Sequence, residues 1–127
     1  MTDGWDGGCL CGEVRFRAAG SPKWISWCHC QSCRRHSGAP ASVFVSFAVA
    51  NVEVTRGAIA KFRSSPGTSR GFCDRCGSTL TCEGVLAPGE FHIHVGAFDR
   101  AAELAPNGAF FPQERLPWLP LPEPTAV

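Results

Sequence analysis

Three cysteines fall within six positions in Cys28-His29-Cys30-Gln31-Ser32-Cys33, and Arg34-Arg35-His36-Ser37-Gly38 follows directly. In extended backbone, residues at i and i+2 point to one face. The Cys28 and Cys30 thiols then share a side and His29 takes the other. The two-residue gap from Cys30 to Cys33 lets a tight turn bring two sulfurs to one ion. Three thiolates can converge here without help from distant sequence. A structural zinc closes four ligands around itself, whereas a reactive zinc keeps a position open. Three local thiolates with no local fourth ligand therefore point to an open site.

Two further cysteine pairs carry metal-ligand spacing. Gly7-Gly8-Cys9-Leu10-Cys11-Gly12 places two sulfurs on one face of an extended segment, and Cys73-Asp74-Arg75-Cys76-Gly77 has the pattern of a zinc knuckle. Cys9, Cys11, Cys73 and Cys76 make a set of four that would staple distant segments. Cys28, Cys30 and Cys33 make a set of three, and Cys82 is left over as a small buried hydrophobe. Spacing alone leaves other partitions open. Cys9 and Cys11 could join the three-cysteine stretch, or Cys82 could complete it, giving two structural zincs and no chemistry.

The chemistry of an open three-thiolate zinc is narrow. Its net charge is near minus one, which makes it a weak generator of hydroxide. It accepts a further thiol readily, because zinc deprotonates a coordinating thiol. A small thiol would bind as thiolate and add to, or leave from, a carbon centre. The added negative charge calls for nearby cations or N–H donors, and Arg34, Arg35 and His36, the nearest in sequence, read equally as that or as a solvated turn. His29 reads either as a proton shuttle, having a pKa near neutrality, or as a packed histidine opposite the metal face.

The elements that must position these residues read as mainly β. Glu13–Ala18, Lys23–Trp27, Ala41–Phe47, Val52–Val54, Ile59–Arg63 and Ser78–Glu83 are strand candidates, by alternation or by β-branched and aromatic content. Phe91–Val95 alternates apolar residues with His92 and His94, which are expected to face solvent or a groove. Arg34–Ser37 fits one helical turn ended by Gly38, and Asp99–Leu104 a short helix. Ser64–Ser69 reads as a surface loop by composition. The tail, with prolines at 112, 117, 120, 122 and 124, cannot pair as a central strand. It is expected to lie extended over the domain, anchored by Phe110, Phe111 and Trp118.

The 127 residues fit one zinc-binding domain, with a core at 7–118 and a proline-rich tail at 119–127. Net charge is +1 and no Lys/Arg block exceeds Arg34-Arg35, which argues against a nucleic-acid surface. No apolar run reaches a membrane-spanning length. Met1 to Asp6 lacks the basic start and apolar run of a signal peptide. The expected compartment is the cytoplasm, where eight cysteines point to metal rather than disulfides.

Taken in order, Gly8-Cys9-Leu10-Cys11-Gly12-Glu13-Val14, Cys28 to Arg34, Gly38-Ala39, Arg70 to Gly77 and Gly96-Ala97-Phe98-Asp99 resemble the glutathione-dependent formaldehyde-activating enzyme family. Its zinc-binding domain is shared with centromere protein V. The resemblance covers roughly Gly7 to Trp118. It implies an Mss4-like fold of twisted β-sheets. It also implies a structural zinc at Cys9, Cys11, Cys73 and Cys76, and a second, catalytic zinc at Cys28, Cys30 and Cys33. The implied activity is carbon–sulfur lyase chemistry that joins glutathione and formaldehyde as S-hydroxymethylglutathione, or reverses it. The expected partner is a small thiol such as glutathione. Leu104 to Pro112 lacks the histidine that many members carry before the terminal tryptophan motif, while Arg115-Leu116-Pro117-Trp118 looks retained. The carboxylates of glutathione would want arginine or lysine forks, and Arg34, Arg35, Arg56, Lys61 and Arg115 are available. A non-catalytic zinc module for protein binding or thiol carriage is the competing expectation.

Overall fold

The computed structural model describes residues 4–84 and 87–119. The prolines at 120, 122 and 124 lie outside the described residues. The chain runs β1 (Gly4–Gly8), β2 (Arg15–Ala19), β3 (Trp24–Cys28), α1 (Gln31–Ser37), β4 (Ser42–Ala48), β5 (Val52–Arg56), β6 (Ala60–Ser65), β7 (Thr68–Phe72), β8 (Thr79–Gly84), β9 (Glu90–His94) and β10 (Ala109–Phe110). Short 3-10 turns punctuate it, one of them at Ala101–Glu103 within the expected Asp99–Leu104 helix. The protein is mainly β, as its alternating segments require. No helix among the described residues is long and apolar enough to cross a membrane.

Two sheets form. One has the order β1-β2-β5, the other β10-β3-β4-β9-β8-β7-β6. Neighbouring strands pair antiparallel, except that β10 runs parallel to β3. The shared core lies between the sheets. Phe16 and Ala18 of β2 meet Val45 and Phe47 of β4 and Phe91 and Ile93 of β9, with Phe98 and Leu104 closing the side. Phe16 and Phe98 meet edge to face at 5.2 Å. Each such aromatic contributes about 1.5–3 kcal/mol by leaving water.

The other face of the larger sheet carries the chemistry. Registers place Trp24, Ser46, His92, Cys82, Arg70 and Phe62 in one row across six strands. The next row holds Ser26, Phe44 and His94, and the one beyond pairs Cys28 with Ser42. Helix α1 packs on β4 over this face. Cys30 is its N-cap and Gly38 its left-handed stop, at φ 76°.

Three expectations need correction. Ser64–Ser69 is not a loop. β6 and β7 form a hairpin in which Ser65 pairs with Thr68, leaving Pro66-Gly67 as the turn. His94 does not face solvent, because α1 covers its face of β9, and only 8% of it is exposed. Of the tail's three expected aromatic anchors only Phe110 packs, edge to face on Trp24 at 4.9 Å. Phe111 and Trp118 are 49% and 67% exposed, and backbone and polar contacts hold the rest of the segment. His29 N–H donates to the Phe110 carbonyl at 3.1 Å, Gln31 N–H to the Glu114 carboxylate at 3.1 Å, and Arg34 to the Glu114 carbonyl at 2.9 Å.

Candidate functional site

The β1–β2 turn carries Cys9 and Cys11, and the β7–β8 turn carries Cys73 and Cys76. Each turn is shaped for close approach of sulfurs. Gly77 takes φ 80°, a region costly for other residues, so that its N–H can reach the Cys73 carbonyl at 2.8 Å. The four sulfurs all lie within 4.8 Å of one another. Cys9 and Cys11 are 3.7 Å apart, and Cys11 and Cys73 3.9 Å. Four thiolates bound tetrahedrally to a zinc-sized ion would sit about 3.8 Å apart, so the spacing fits. Backbone and hydroxyl donors already surround the sulfurs. Val14 N–H donates to Cys9 at 3.2 Å. Ser78 Oγ lies 3.1 Å from Cys76, and this hydroxyl, with the Ser78 N–H, draws the Cys76 thiol down to about 5.

The second cluster forms where β3 runs into α1. Cys28 ends the strand, Cys30 caps the helix, and Cys33 lies one turn on. Cys28 is 3.7 Å from Cys30 and 3.3 Å from Cys33. The three form a group without a fourth His, Cys, Asp or Glu donor within 4.8 Å among the described residues. Cys28 and Cys33 are buried and Cys30 is half-buried, so the cluster opens on the Cys30 side. Hydrogen bonds from Cys28 and Cys33 hold the Cys30 thiol far below its usual range. The same contact with Cys30 pushes Cys28 up to about 11, and Cys28 in turn raises Cys33. One thiolate is thus favoured at the expense of its neighbours. A divalent cation at their centre would let all three ionise, so both clusters can hold a metal ion.

This geometry resolves the partition that spacing left open. Cys9 and Cys11 close with Cys73 and Cys76, not with the three-cysteine stretch. Cys82 is half-buried and packs against the second cluster without joining it.

The cation beside the second cluster is Arg70, which sequence proximity did not suggest. Its Nη1 lies 3.3 Å from the Cys33 sulfur and its Nε donates to Ser64 Oγ at 3.1 Å, with only 5% of the residue exposed. The nearer candidates are turned elsewhere by α1. Arg34 Nη1 donates to the His29 and Glu114 carbonyls at 2.7 and 2.9 Å. His36 lies against Thr79 Oγ1 at 3.3 Å, and Arg35 faces solvent. A sequence signal for Arg70 did exist. It occupies the same strand alternation as Phe72, one residue before the knuckle, so an arginine there points where an apolar residue is due.

His29 is 1% exposed and stacks on Trp27 at 6.3 Å. Strand alternation puts both on the side away from the Cys28 and Cys30 sulfurs. Burial, then Arg115 and Arg34, hold its imidazole below the usual range. This placement favours the packed reading over the proton shuttle.

His94 has a measurable consequence. Its ring lies 4.4 Å from that of Phe44, and its Nε2 has no hydrogen-bond partner among the described residues. Burial, with His36 and Arg70 nearby, lowers its pKa to about 3. Above an unfolded value of about 6.5, both states are neutral and stability is unaffected. Below it the unfolded chain takes up a proton that the folded chain refuses. Stability should then fall from about pH 6.5 toward 3 by up to about 1.4 kcal/mol per pH unit. Denaturant titrations across this range should give a shallower slope for His94→Gln than for the wild type. Equal slopes would contradict the buried neutral imidazole.

Comparison with known proteins places this geometry. The model of the glutathione-dependent formaldehyde-activating enzyme family matches residues 4–114. A Schizosaccharomyces pombe protein named an uncharacterized lyase is 32% identical over 76 residues, 60% of this chain. The match spans 55% of that relative's length. The crystal structure of a Rhodobacter sphaeroides protein, 19% identical, superposes with a TM-score of 0.67 over 83% of this chain and 99% of that one, which shows the shared fold. With its cysteine motifs folded into two sulfur clusters and its length matched from β1 to the turn after β10, the chain belongs to the glutathione-dependent formaldehyde-activating enzyme family.

Proposed function

We propose that this protein is a zinc-dependent carbon–sulfur lyase acting on the adduct of a small thiol and a carbonyl compound, of the S-hydroxymethylglutathione type. Cys9, Cys11, Cys73 and Cys76 would hold a structural zinc, and Cys28, Cys30 and Cys33 a catalytic one. The observation that carries the reading is a three-sulfur cluster, open on the Cys30 side, with a buried arginine 3.3 Å from Cys33. A fourth buried sulfur would have made it a closed structural site.

When bound, zinc supplies an acceptor that keeps a coordinating thiol deprotonated. Cys28, Cys30 and Cys33 as thiolates would leave a bound zinc near minus one, and a substrate thiolate would add a further negative charge. Arg70 offsets that charge through its contact with Cys33, in a setting where a buried cation acts at low screening. Cys28 and Cys33 anchor the cluster in the sheet and helix, and half-buried Cys30 borders the entry. In the synthetic direction the substrate sulfur donates its electron pair to the carbonyl carbon. The C–S bond forms as the C=O pair moves to oxygen, which takes a proton from water. Cleavage is the reverse. The named family and the lyase-named relative support this reaction class.

The test is exchange spectroscopy by NMR between free formaldehyde and S-hydroxymethylglutathione, with zinc-loaded protein. Exchange faster than the spontaneous rate is expected. An unchanged rate with fully loaded protein, for glutathione and for other small thiols, would overturn the reading.

A further inference from the structure

We infer that His92, held by Glu90, carries the proton of the reaction between the substrate thiol and the carbonyl oxygen, through an intervening water. This deepens the lyase reading above and rests on it. The overall reaction neither takes up nor releases a proton. The thiol gives one up when it binds as thiolate, and the oxygen gains one as the C–S bond forms. A group beside the cluster that stores the proton in between closes the cycle. It also keeps alkoxide charge from building next to a centre that is already negative. His29 is packed on Trp27 away from the sulfurs, so the carrier is another residue.

His92 stands on the face of the larger sheet that carries the three sulfurs. Its ring lies 4.6 Å from that of Trp24 and 6.3 Å from that of Phe44. Cys82 of β8 is its cross-strand partner, about 5 Å away between Cβ atoms. Trp24 and Cys82 both pack on the group formed by Cys28, Cys33 and Phe44, so the imidazole borders the side chains that surround the cluster. Its Nε2 lies 2.9 Å from Glu90 Oε1, which also accepts the Ser46 hydroxyl at 3.0 Å. The bond from His92 holds the Glu90 carboxyl below its ordinary range. An ionised carboxylate only accepts, so Nε2 carries the ring's proton and Nδ1 is the basic atom. Nδ1 has no hydrogen-bond partner among the described residues, and the side chain is 16% exposed, which lets a water reach it. The charge that the ring takes up is matched by Glu90, as in other imidazole–carboxylate dyads.

The other titratable groups around the ring are unsuited to the task. Burial raises the Cys82 thiol above its ordinary range. Arg70 keeps its charge against Cys33, and Lys23 approaches Glu90 at 3.9 Å. His94 is buried beneath α1, and burial holds it neutral.

Calorimetric titration of zinc-loaded protein with glutathione near neutral pH, in buffers of different ionisation enthalpy, counts the protons released on binding. The wild type should release almost none, because His92 takes up the proton that the thiol loses. His92→Phe, which keeps a ring beside Trp24, should release about one per site and slow adduct exchange about a hundredfold or more, with zinc content unchanged. Glu90→Gln keeps the imidazole without the matching charge, and should move both readouts the same way by less. Equal proton release from the wild type and both variants would overturn the assignment, even where exchange slows, because the dyad would then be only a bond between β4 and β9. The lyase reading would still stand. A wild type that neither binds glutathione nor speeds exchange would end the lyase reading and the assignment with it.

Discussion

Replacing Cys73 with serine should cost the domain its fold. Cys73 is fully buried, packed with Cys9, Val14 and Leu80. Its sulfur lies 3.9 Å from that of Cys11, a residue 62 positions earlier in the chain. The cluster thus ties the β1–β2 turn of the small sheet to the β7–β8 turn of the large one. Under the zinc assignment, the ion's binding free energy is also folding free energy, about 10–16 kcal/mol in small structural sites. A domain's whole margin is about 5–15 kcal/mol. Serine is not among zinc's usual ligands, and a site with three remaining thiolates would lose much of that contribution. The expected result is loss of the cooperative thermal transition, or a midpoint lowered by tens of degrees, with zinc released. A Cys73→Ser protein melting at the wild-type temperature would remove the structural role of this cluster.

Cys30→Ser should do the opposite, sparing the fold and removing activity. Cys30 caps α1, accepting the Cys33 N–H at 3.3 Å, and serine is a favoured residue at that position. It is half-buried at the mouth of the cluster, so the change leaves no cavity in the core. Under the zinc assignment, however, the second cluster falls from three thiolate ligands to two. Losing a residue that merely supports a metal ligand costs about 10–100-fold in affinity or activity. Losing a ligand itself should exceed that, so activity is expected to fall more than about a hundredfold, with a melting midpoint within a few degrees of the wild type. The paired measurements are adduct exchange and a thermal melt. Retained activity would show that the reaction does not use this cluster, and global unfolding would make the cluster a structural site.

The contrast between these variants follows from what local sequence can encode. Cys28, Cys30 and Cys33 lie within six positions, so strand alternation and one helical turn determine that their sulfurs meet. Gly38 as the helix stop and the apolar run of β4 are equally local and equally legible. The four-sulfur cluster needs a closure across 62 residues. Spacing allowed it, but only the strand pairing and the family resemblance selected it. Arg70 is harder still. Its approach to Cys33 depends on β7 lying two strands from β9 in the same sheet as β3 and β4, which no local rule supplies. His92 and His94 show the same limit. Their alternation was readable, but the burial of their face depends on α1 crossing β4. The β6–β7 hairpin was missed for a different reason. Its serines and threonine suggest a loop by composition, whereas backbone pairing of a hairpin tolerates polar side chains at a sheet edge.

The central claim is that two separate sulfur clusters hold two ions. It is tested most directly by zinc content per chain, on protein purified with reductant and without chelator, for the wild type and for Cys30→Ser. The account predicts two zincs for the wild type and one for the variant, the remaining ion being the one held by Cys9, Cys11, Cys73 and Cys76. A single zinc in both proteins would contradict it, because the three-sulfur cluster would then hold no metal in either.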